Sequence, residues 1–305
     1  MTKIQSTEEI TGKLFGDLWH RYDDYLFKES VELFAKRLSN NDFDLGWLEN
    51  KVCLDAGCGG GRYSIAIALH KAKKVIGCDV SDTGLMDARK RAEGFSSVEF
   101  RQASVLDLPF ENEYFDLCWS AGVLHHTTDP DLGLDELTRV LKPGGKLFLL
   151  LYGKGGLRWP TIMKLRPISQ SLGYDVVDDA LKLAELPANK QRTFLDDLFV
   201  PEINFYDWPE IEDRLRQRGY KSWSRFEKAK LDHEASPAVQ RAELQQLHDG
   251  FRVLGEKATE AISILDQSIS DLDEAVAANA RGDISESERD WIIFGWGHHR
   301  LIADK

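Results

Sequence analysis

The sequence has few cysteines, no long apolar run and no excess of positive charge, and each shortage excludes a class of protein. Its four cysteines form no CxxC pair, which favours reduced, buried thiols over a disulfide framework or a thiol chemistry. No apolar run approaches the ~18 residues of a membrane span. A formal net charge of −12 argues against a surface that binds nucleic acid, because such a surface needs a basic stripe to neutralise phosphates.

These shortages fit a cytoplasmic protein that binds neither nucleic acid nor membrane. The first residues lack the charged-then-apolar pattern of a signal peptide, so we expect none. With 42% hydrophobic and 30% charged residues, the composition is that of a globular protein. One local exception stays open, since Arg158, Lys164 and Arg166 could form a basic patch in an otherwise acidic chain.

The chain alternates strand and helix patterns between residues 51 and 153. Strands are predicted at KVCLDAG, KVIGCDV, VEFRQAS, YFDLCWSAGVL and KLFLLLYG, and helical or turn patterns separate them. This alternation predicts a parallel sheet with right-handed crossovers. Two further strands, at KSWSRFEK and HHRLIADK, complete the prediction of a doubly wound, seven-stranded, mostly parallel α/β sheet.

Composition shifts and Pro/Gly signals divide the chain into six segments. We expect an N-terminal helical lid at 1–50, the core at 51–153, a helical insert at 154–207, a return to the core at 208–232, a helical insert or hairpin at 233–290 and the last core strand at 291–305. In the long helical pattern from about 237 to 281, Gly250 and Gly255 are each unfavourable by about 1 kcal/mol, which predicts a break or kink there. Apolar rows on this pattern leave a homodimer through the helical inserts open.

The stretch LDAGCGGGRYS, from Leu54 to Ser64, has the glycines of a loop that a ligand approaches closely. A phosphate-binding P-loop needs Lys followed by Ser or Thr, but Arg62 and Tyr63 stand there. A dinucleotide fingerprint needs a third glycine where Arg62 stands. The remaining pattern is an acid followed by G-x-G-x-G: Asp55, Gly57, Gly59 and Gly61.

This pattern resembles the first motif of the class I S-adenosylmethionine-dependent methyltransferases of the small-molecule type. The resemblance covers roughly residues 50–152, because Asp79 ends the second strand and SAGVLHHTTDP and VLKPGGKLFLL follow in the family's order. It implies S-adenosylmethionine as cofactor, with Asp55 near its ammonium group and Asp79 accepting from both ribose hydroxyls. A helix cap is the alternative role for Asp79.

The resemblance assigns the cofactor-binding side chains residue by residue. Where the family often has an acid for the adenine amine this chain has Ser104, and Asp107, three residues on, is the alternative acceptor. In relatives a tyrosine of an N-terminal helix meets the cofactor carboxylate, so Tyr22 is the candidate, with ordinary core packing as the alternative. The full set is Tyr22, Asp55, Gly57, Cys58, Gly59, Gly61, Asp79, Val80, Ser104, Val105, Asp107 and Ser120.

Two adjacent histidines, His125 and His126, follow the fourth strand, at the end of the sheet where ligands bind. One can act as a general base, since histidine titrates near neutral pH, and the catalytic assignment is to His126 and His125. Hydrogen bonding within the turn is the alternative. We expect no metal, because adjacent histidines are poor chelators without a carboxylate placed to join them.

The substrate-binding candidates are aromatic. Trp19 lies in the N-terminal segment LWHRYDDY, and DLFVPEINFYDWPE supplies Phe199, Phe205 and Tyr206 for an apolar acceptor. The expected activity is methyl transfer to an oxygen or nitrogen of a small metabolite. The alternatives are a C-methyltransferase and a non-methylating or non-catalytic relative that binds the same cofactor.

Overall fold

The computed structural model describes residues 6–21, 24–226 and 236–305. Its described residues fall into two compact units. The first, called the core unit here, comprises residues 6–21, 24–152, 201–226 and 298–305. The second, called the helical unit, comprises residues 153–200 and 236–297. Tyr22 and the last two residues of the KSWSRFEK pattern lie outside the described residues, which leave out positions 22–23 and 227–235.

The core unit is built on one sheet, whose seven-strand path has the order β3-β2-β1-β4-β5-β8-β7 in the described residues. Its strands are β1 Val52–Ala56, β2 Lys74–Asp79, β3 Val98–Gln102, β4 Phe115–Ala121, β5 Leu141–Gly153, β6 Phe205–Tyr206, β7 Ser222–Arg225 and β8 His298–Asp304. The first five strands pair in parallel, β8 is antiparallel to both of its neighbours, and β6 pairs with β5 off this path. The predicted doubly wound, mostly parallel sheet is confirmed.

Helices cover both faces of this sheet. They are α1 Thr7–His20, α2 Asp24–Asn40, α3 Arg62–Leu69, α4 Asp82–Arg91, α5 Pro130–Val140 and α9 Trp208–Gln217, with short 3-10 turns at Leu45–Leu48 and Leu124–His126. Alternate residues of a strand enter two separate apolar clusters: Leu54 and Cys118 pack in one, Cys53 and Leu117 in the other. A strand buried on both faces explains the near-continuous apolar runs of the sequence.

All four cysteines are free and buried. Burial raises the pKa of each thiol, because the charged thiolate is poorly solvated inside the protein. The cysteines are thus buried, as the sequence predicts, and a raised pKa makes each thiol a poor nucleophile.

The helical unit consists of α6 Arg158–Leu172, α7 Tyr174–Leu183, α8 Ala188–Phe199, α10 Pro237–Arg252, α11 Thr259–Arg281 and α12 Glu286–Phe294. Ion pairs between Arg241 and Asp273 and between His248 and Asp266 show that α10 and α11 run antiparallel. The predicted break falls at Gly255, which has a φ of +58°. Gly250 lies within α10, which has no break there. Its missing side chain lets α10 approach Leu181 of α7, since a Cβ at Gly250 would lie 2.6 Å from Leu181 Cδ2. No helix in the described part of the chain is long and apolar enough to cross a membrane.

Of the three basic residues that the sequence leaves open as a local patch, Arg158 and Arg166 instead belong to a buried polar cluster within the helical unit. The Arg158 guanidinium pairs with Asp197 and with Glu243, at 2.9 Å from the latter. Arg166 donates to the backbone carbonyls of Asp197 and Val200. Only Lys164 of the three predicted basic residues is exposed. Sequence reasoning missed this because the acidic partners come from helices about 40 and 85 residues further along the chain.

Replacing Arg158 by Ala should destabilise the protein by about 3–5 kcal/mol, because it removes the cation that pairs with the buried carboxylates of Asp197 and Glu243 and leaves Glu243 with Lys190. Chemical denaturation followed by circular dichroism measures this loss. Arg281→Ala is the matched control, since Arg281 pairs with Glu274 and Asp283 in solvent and its removal should change stability little. Equal losses in the two variants would contradict a structural role for the buried cluster.

Candidate functional site

The candidate site lies at the carboxyl ends of β1, β2 and β4, where the strand order reverses between β1 and β4. Ligands of doubly wound sheets bind at this switch point. The structure brings most of the sequence-predicted residues of the core unit to this edge. Asp55 and the glycine loop follow β1, Asp79 ends β2, and the two histidines follow β4.

The glycine loop turns sharply because three of its residues are left-handed. Gly57, Gly59 and Gly61 have φ values of +76°, +50° and +82°. A Cβ on Gly57 would run into the side chain of Val123, and one on Gly59 would lie 2.5 Å from Trp19 Nε1. The amides of Gly57 and Cys58 both donate to the Cys78 carbonyl, at 2.8 and 2.9 Å. The loop is thus a backbone cradle fixed to the end of β2.

Asp55 is buried directly beneath this loop, with 1% of its surface exposed. One carboxylate oxygen accepts from Ser64 Oγ at 2.6 Å. Burial raises the pKa of Asp55 to about 7, against the opposing effects of the Ser64 hydroxyl and the Arg62 charge. The carboxyl group therefore titrates near neutral pH, where a ligand's positive charge would favour its ionised form.

Asp79 joins the glycine loop to the end of β2. One carboxylate oxygen accepts from the Gly59 amide and the other from the Ser81 amide, each at 2.8 Å. Burial raises the pKa of Asp79, and these backbone hydrogen bonds oppose that shift. Helix α4 is capped by Ser81, whose hydroxyl accepts from the Gly84 amide, so Asp79 is not the cap of that helix.

The remaining predicted cofactor residues have unlike surroundings. The Ser104 hydroxyl accepts from the Leu106 amide at 3.0 Å and donates to the carboxylate of Glu8. Asp107 is exposed, and Val105 is part of the apolar core. Ser120 on β4 is 1% exposed, and its hydroxyl has no hydrogen-bond partner among the described residues.

Helix α1 lies against this edge of the core unit. The Trp19 indole rests on the glycine loop and on the Arg62 guanidinium, whose centre is 4.8 Å from its ring. The Phe15 ring lies 5.3 Å from the His126 ring. Glu8 and Phe15 were not singled out from the sequence, where helical spacing alone gave no sign of what they contact. Trp19, predicted to bind substrate, contacts the loop after β1.

The two adjacent histidines occupy different environments on the 3-10 turn. His125 is fully buried and stacks on Tyr152, with ring centroids 3.8 Å apart. Burial holds its pKa well below the usual range, so the ring stays neutral. His126 Nδ1 lies 2.9 Å from the Glu202 carbonyl oxygen, which can only accept, so Nδ1 carries the hydrogen. In the neutral ring the lone pair is then on Nε2.

A segment far along the chain holds this turn. Asn204 donates through its amide N–H to the His125 carbonyl at 2.8 Å and through its side chain to the Thr127 carbonyl at 3.2 Å. Phe205 in β6 is half-buried, 6.5 Å from the Tyr152 ring. Tyr206 is buried in the core and its carbonyl accepts from His299 Nε2. Phe199 belongs to the helical unit, where it contacts Tyr174.

The described residues contain no group of three or more His, Cys, Asp or Glu side chains that could hold a metal ion.

Comparisons with known proteins point to one chemistry for this edge. Residues 54–149 match the family described as a methyltransferase domain. The demethylmenaquinone methyltransferase of Clavibacter sepedonicus is 41% identical over 96 residues, which are 32% of this chain and 39% of that protein. The ubiquinone biosynthesis O-methyltransferase of Hahella chejuensis is 34% identical over 152 residues, covering 48% of this chain and 63% of that protein. The chain thus spans less than two thirds of the length of either curated relative.

A solved structure extends the similarity in fold beyond this domain. The YcgJ protein of Bacillus subtilis aligns with a TM-score of 0.51 over 91% of this chain and 98% of its own, at 16% identity. At that identity the likeness concerns the fold alone.

The raised pKa of Asp55 makes stability depend on pH. Between about pH 4, where an exposed aspartate titrates, and pH 7, the folded protein keeps a proton that the unfolded chain has released. The free energy of unfolding should therefore fall as pH rises through this window, by up to about 1.4 kcal/mol per pH unit from this group, and level off above pH 7.

Asp55→Asn keeps an oxygen for Ser64 and should flatten this part of the slope, as measured by urea unfolding at pH 5, 6, 7 and 8. Asp196, in the helical unit, also has a pKa raised to about 7 by burial. Asp196→Asn is therefore a matched second variant, which should separately reduce the dependence of unfolding free energy on pH. An unchanged slope in Asp55→Asn would contradict a protonated Asp55.

Proposed function

Because residues 54–149 are a methyltransferase domain of the class I S-adenosylmethionine-dependent family, we propose that this chain methylates an oxygen or nitrogen of a small metabolite. One observation carries the proposal: a left-handed glycine cradle tied to the Asp79 carboxylate at the switch point of the sheet. The loop has Arg62 and Tyr63 where a phosphate-binding loop has lysine followed by serine or threonine, and the proposed cofactor has no phosphate.

Features of this edge fit the proposed cofactor. The absence of a Cβ on Gly57 and on Gly59 lets Val123 and Trp19 pack directly on the loop, which holds the loop in place at this edge. Ser120 keeps a buried hydroxyl without a partner among the residues described, so a polar group of a ligand can satisfy it. Asp79 has lone pairs left after its two backbone hydrogen bonds.

In this proposal Asp79 holds the ribose hydroxyls, and Gly57 to Gly61 with Asp55 receive the amino-acid part. When bound, S-adenosylmethionine supplies an electrophilic methyl group on its sulfonium. The chain's own contribution is to orient the acceptor and exclude water, which accounts for up to about 7–11 kcal/mol of the barrier in ideally oriented reactions.

Asp79→Asn should weaken binding of S-adenosylmethionine, or of its demethylated product, by about tenfold or more. An ionic acceptor for a buried hydroxyl contributes roughly 1.5–3 kcal/mol, and the amide keeps only one oxygen to bind the loop and the ligand together. Isothermal titration calorimetry measures the affinity. Asp82→Asn, an exposed change three residues on, is the control, and unchanged affinity in folded Asp79→Asn would contradict the cofactor assignment.

His126 supports a base role toward an acceptor hydroxyl. The Glu202 carbonyl fixes its tautomer, so that Nε2 can take a proton. His125 is fully buried with both ring nitrogens unbonded to any described residue, and its lowered pKa makes it a poorer base. We assign it a packing role beside Tyr152, with which it stacks.

An oxygen acceptor is favoured over nitrogen or carbon by two observations. A positioned neutral imidazole is useful when the acceptor must lose a proton, and the Hahella relative is named for O-methylation in ubiquinone biosynthesis. The rings of Tyr152, His125 and Phe15 around His126 suit a planar, apolar acceptor. The net charge of −12 supports a small molecule over a nucleic acid, and the four buried thiols suit the cytoplasm. A homodimer through the helical inserts stays a prediction.

His126→Ala should lower turnover on a hydroxyl acceptor by about 10²-fold or more and leave cofactor affinity nearly intact, because only the proton transfer is lost. His125→Ala should mainly lower stability, since it removes a buried ring from the Tyr152 stack.

An unbiased metabolite screen with methyl-labelled cofactor identifies the acceptor, and product NMR distinguishes O-, N- and C-methylation. Both variants are then compared at saturating cofactor from pH 6 to 9. With a neutral amine the His126→Ala loss should be much smaller, because deprotonation can follow transfer. Full activity of His126→Ala on a hydroxyl acceptor would reject the base role.

A further inference from the structure

Helix α1 is fitted to the end of β2 by two glycines on one of its faces. A Cβ on Gly12 would lie 3.0 Å from Val80 Cγ2, and one on Gly16 would run into Ser81 Oγ. Val80 and Ser81 directly follow Asp79. Because the two glycines are one helical turn apart, they give α1 a flat strip that lets its backbone approach this loop closely.

The same helix delivers a carboxylate to the end of the neighbouring strand. Glu8 accepts from the hydroxyl of Ser104, whose own oxygen accepts from the Leu106 amide. Ser104 lies beside Asp79 at this edge, since β2 and β3 are paired through Asp79 and Gln102, and the Ala103 amide donates to the Asp79 carbonyl at 3.0 Å. Glu8 uses one of its two oxygens in this bond, and a carboxylate has about four acceptor positions.

A second polar group follows Glu8 on α1, three residues further along the helix. The Thr11 hydroxyl is buried, and no residue in the described ranges accepts from it or donates to it. Residues three apart lie on the same face of a helix, so Thr11 is on the face that carries Glu8. A buried hydroxyl left unsatisfied costs about 1–3 kcal/mol, which a ligand's polar group would recover.

We propose that Glu8 and Thr11 of α1 recognise the base of the nucleoside held by Asp79, and that Glu8 makes the site specific for a 6-aminopurine. This rests on the proposed function, because it takes a nucleoside cofactor as the ligand. The amino group of adenine donates a hydrogen bond that a carboxylate accepts. Hypoxanthine has a carbonyl oxygen at the same position, and two acceptors repel each other.

The specificity can be measured without turnover. Isothermal titration calorimetry compares S-adenosylhomocysteine with its hypoxanthine analogue on the full chain. Wild-type protein should bind the adenine ligand roughly tenfold or more tightly than the analogue, as expected for a charge-assisted hydrogen bond. In Glu8→Gln this ratio should fall toward one, because the amide can either accept or donate.

Asp17→Asn is the matched control, since it removes the same charge from an exposed position of α1 and should keep the wild-type ratio. Hydrogen exchange of residues 7–20 establishes whether α1 stays docked in each variant. If Glu8→Gln releases α1, Thr11→Val takes its place: it should keep α1 docked and bind the adenine ligand several-fold more weakly, whereas Thr11→Ser should bind normally.

The outcomes distinguish a failure of the Glu8 proposal from a failure of the proposed function on which it rests. An unchanged adenine-to-hypoxanthine ratio in docked Glu8→Gln overturns the role of Glu8 and leaves the cofactor assignment intact. Wild-type protein that binds neither ligand overturns both, because the nucleoside site itself would be wrong. A wild-type ratio near one also overturns the specificity, even where Asp79→Asn weakens binding as expected.

Discussion

The Asp79 carboxylate, which accepts one backbone amide on each of its oxygens, is the interaction on which the site depends. Through the Gly59 amide it holds the turn after β1, and through the Ser81 amide it holds the turn after β2. The left-handed glycines make the first turn possible, and the second presents the surface to which Gly12 and Gly16 of α1 are fitted. One partly buried acid therefore joins the glycine cradle to the turn on which α1 packs.

The histidine turn shows how two adjacent buried residues acquire different hydrogen-bond partners. On the 3-10 turn successive side chains point in different directions, so His125 enters the core beside Tyr152 while His126 meets Phe15 and the Glu202 carbonyl. Desolvation keeps the first ring neutral. The second is oriented by a backbone oxygen 76 residues away, so its chemistry depends on the 201–204 segment as much as on its own strand.

Much of the core could be predicted because its signals are local. Short stretches of sequence contain the strand–helix alternation, the glycine loop and the position of Asp79 at a strand end. The break at Gly255 is likewise indicated by a short stretch. What the sequence could not supply are contacts between distant segments. The Glu8–Ser104 bond spans 96 residues and the Arg158–Glu243 pair spans 85, and a helix's polar residue gives no sign of its partner. The Gly12 and Gly16 pair was likewise invisible, because its meaning depends on which loop the helix packs against.

Both segments of the helical unit lie beyond the residues that match the methyltransferase domain. The first segment of this unit lies between β5 and β6 and the second between β7 and β8, and the two strands of each pair are neighbours in the sheet. The Gly153 amide bonds to the Gly297 carbonyl at 2.8 Å. Sequence matching to the methyltransferase domain stops at residue 149, just before the first segment. An insertion that starts and finishes on neighbouring strands can lengthen, shorten or diverge without disturbing the register of β5 and β8. The helical unit can thus change in length without moving Asp55, Asp79 or the glycine loop, which all lie on or next to other strands of the sheet.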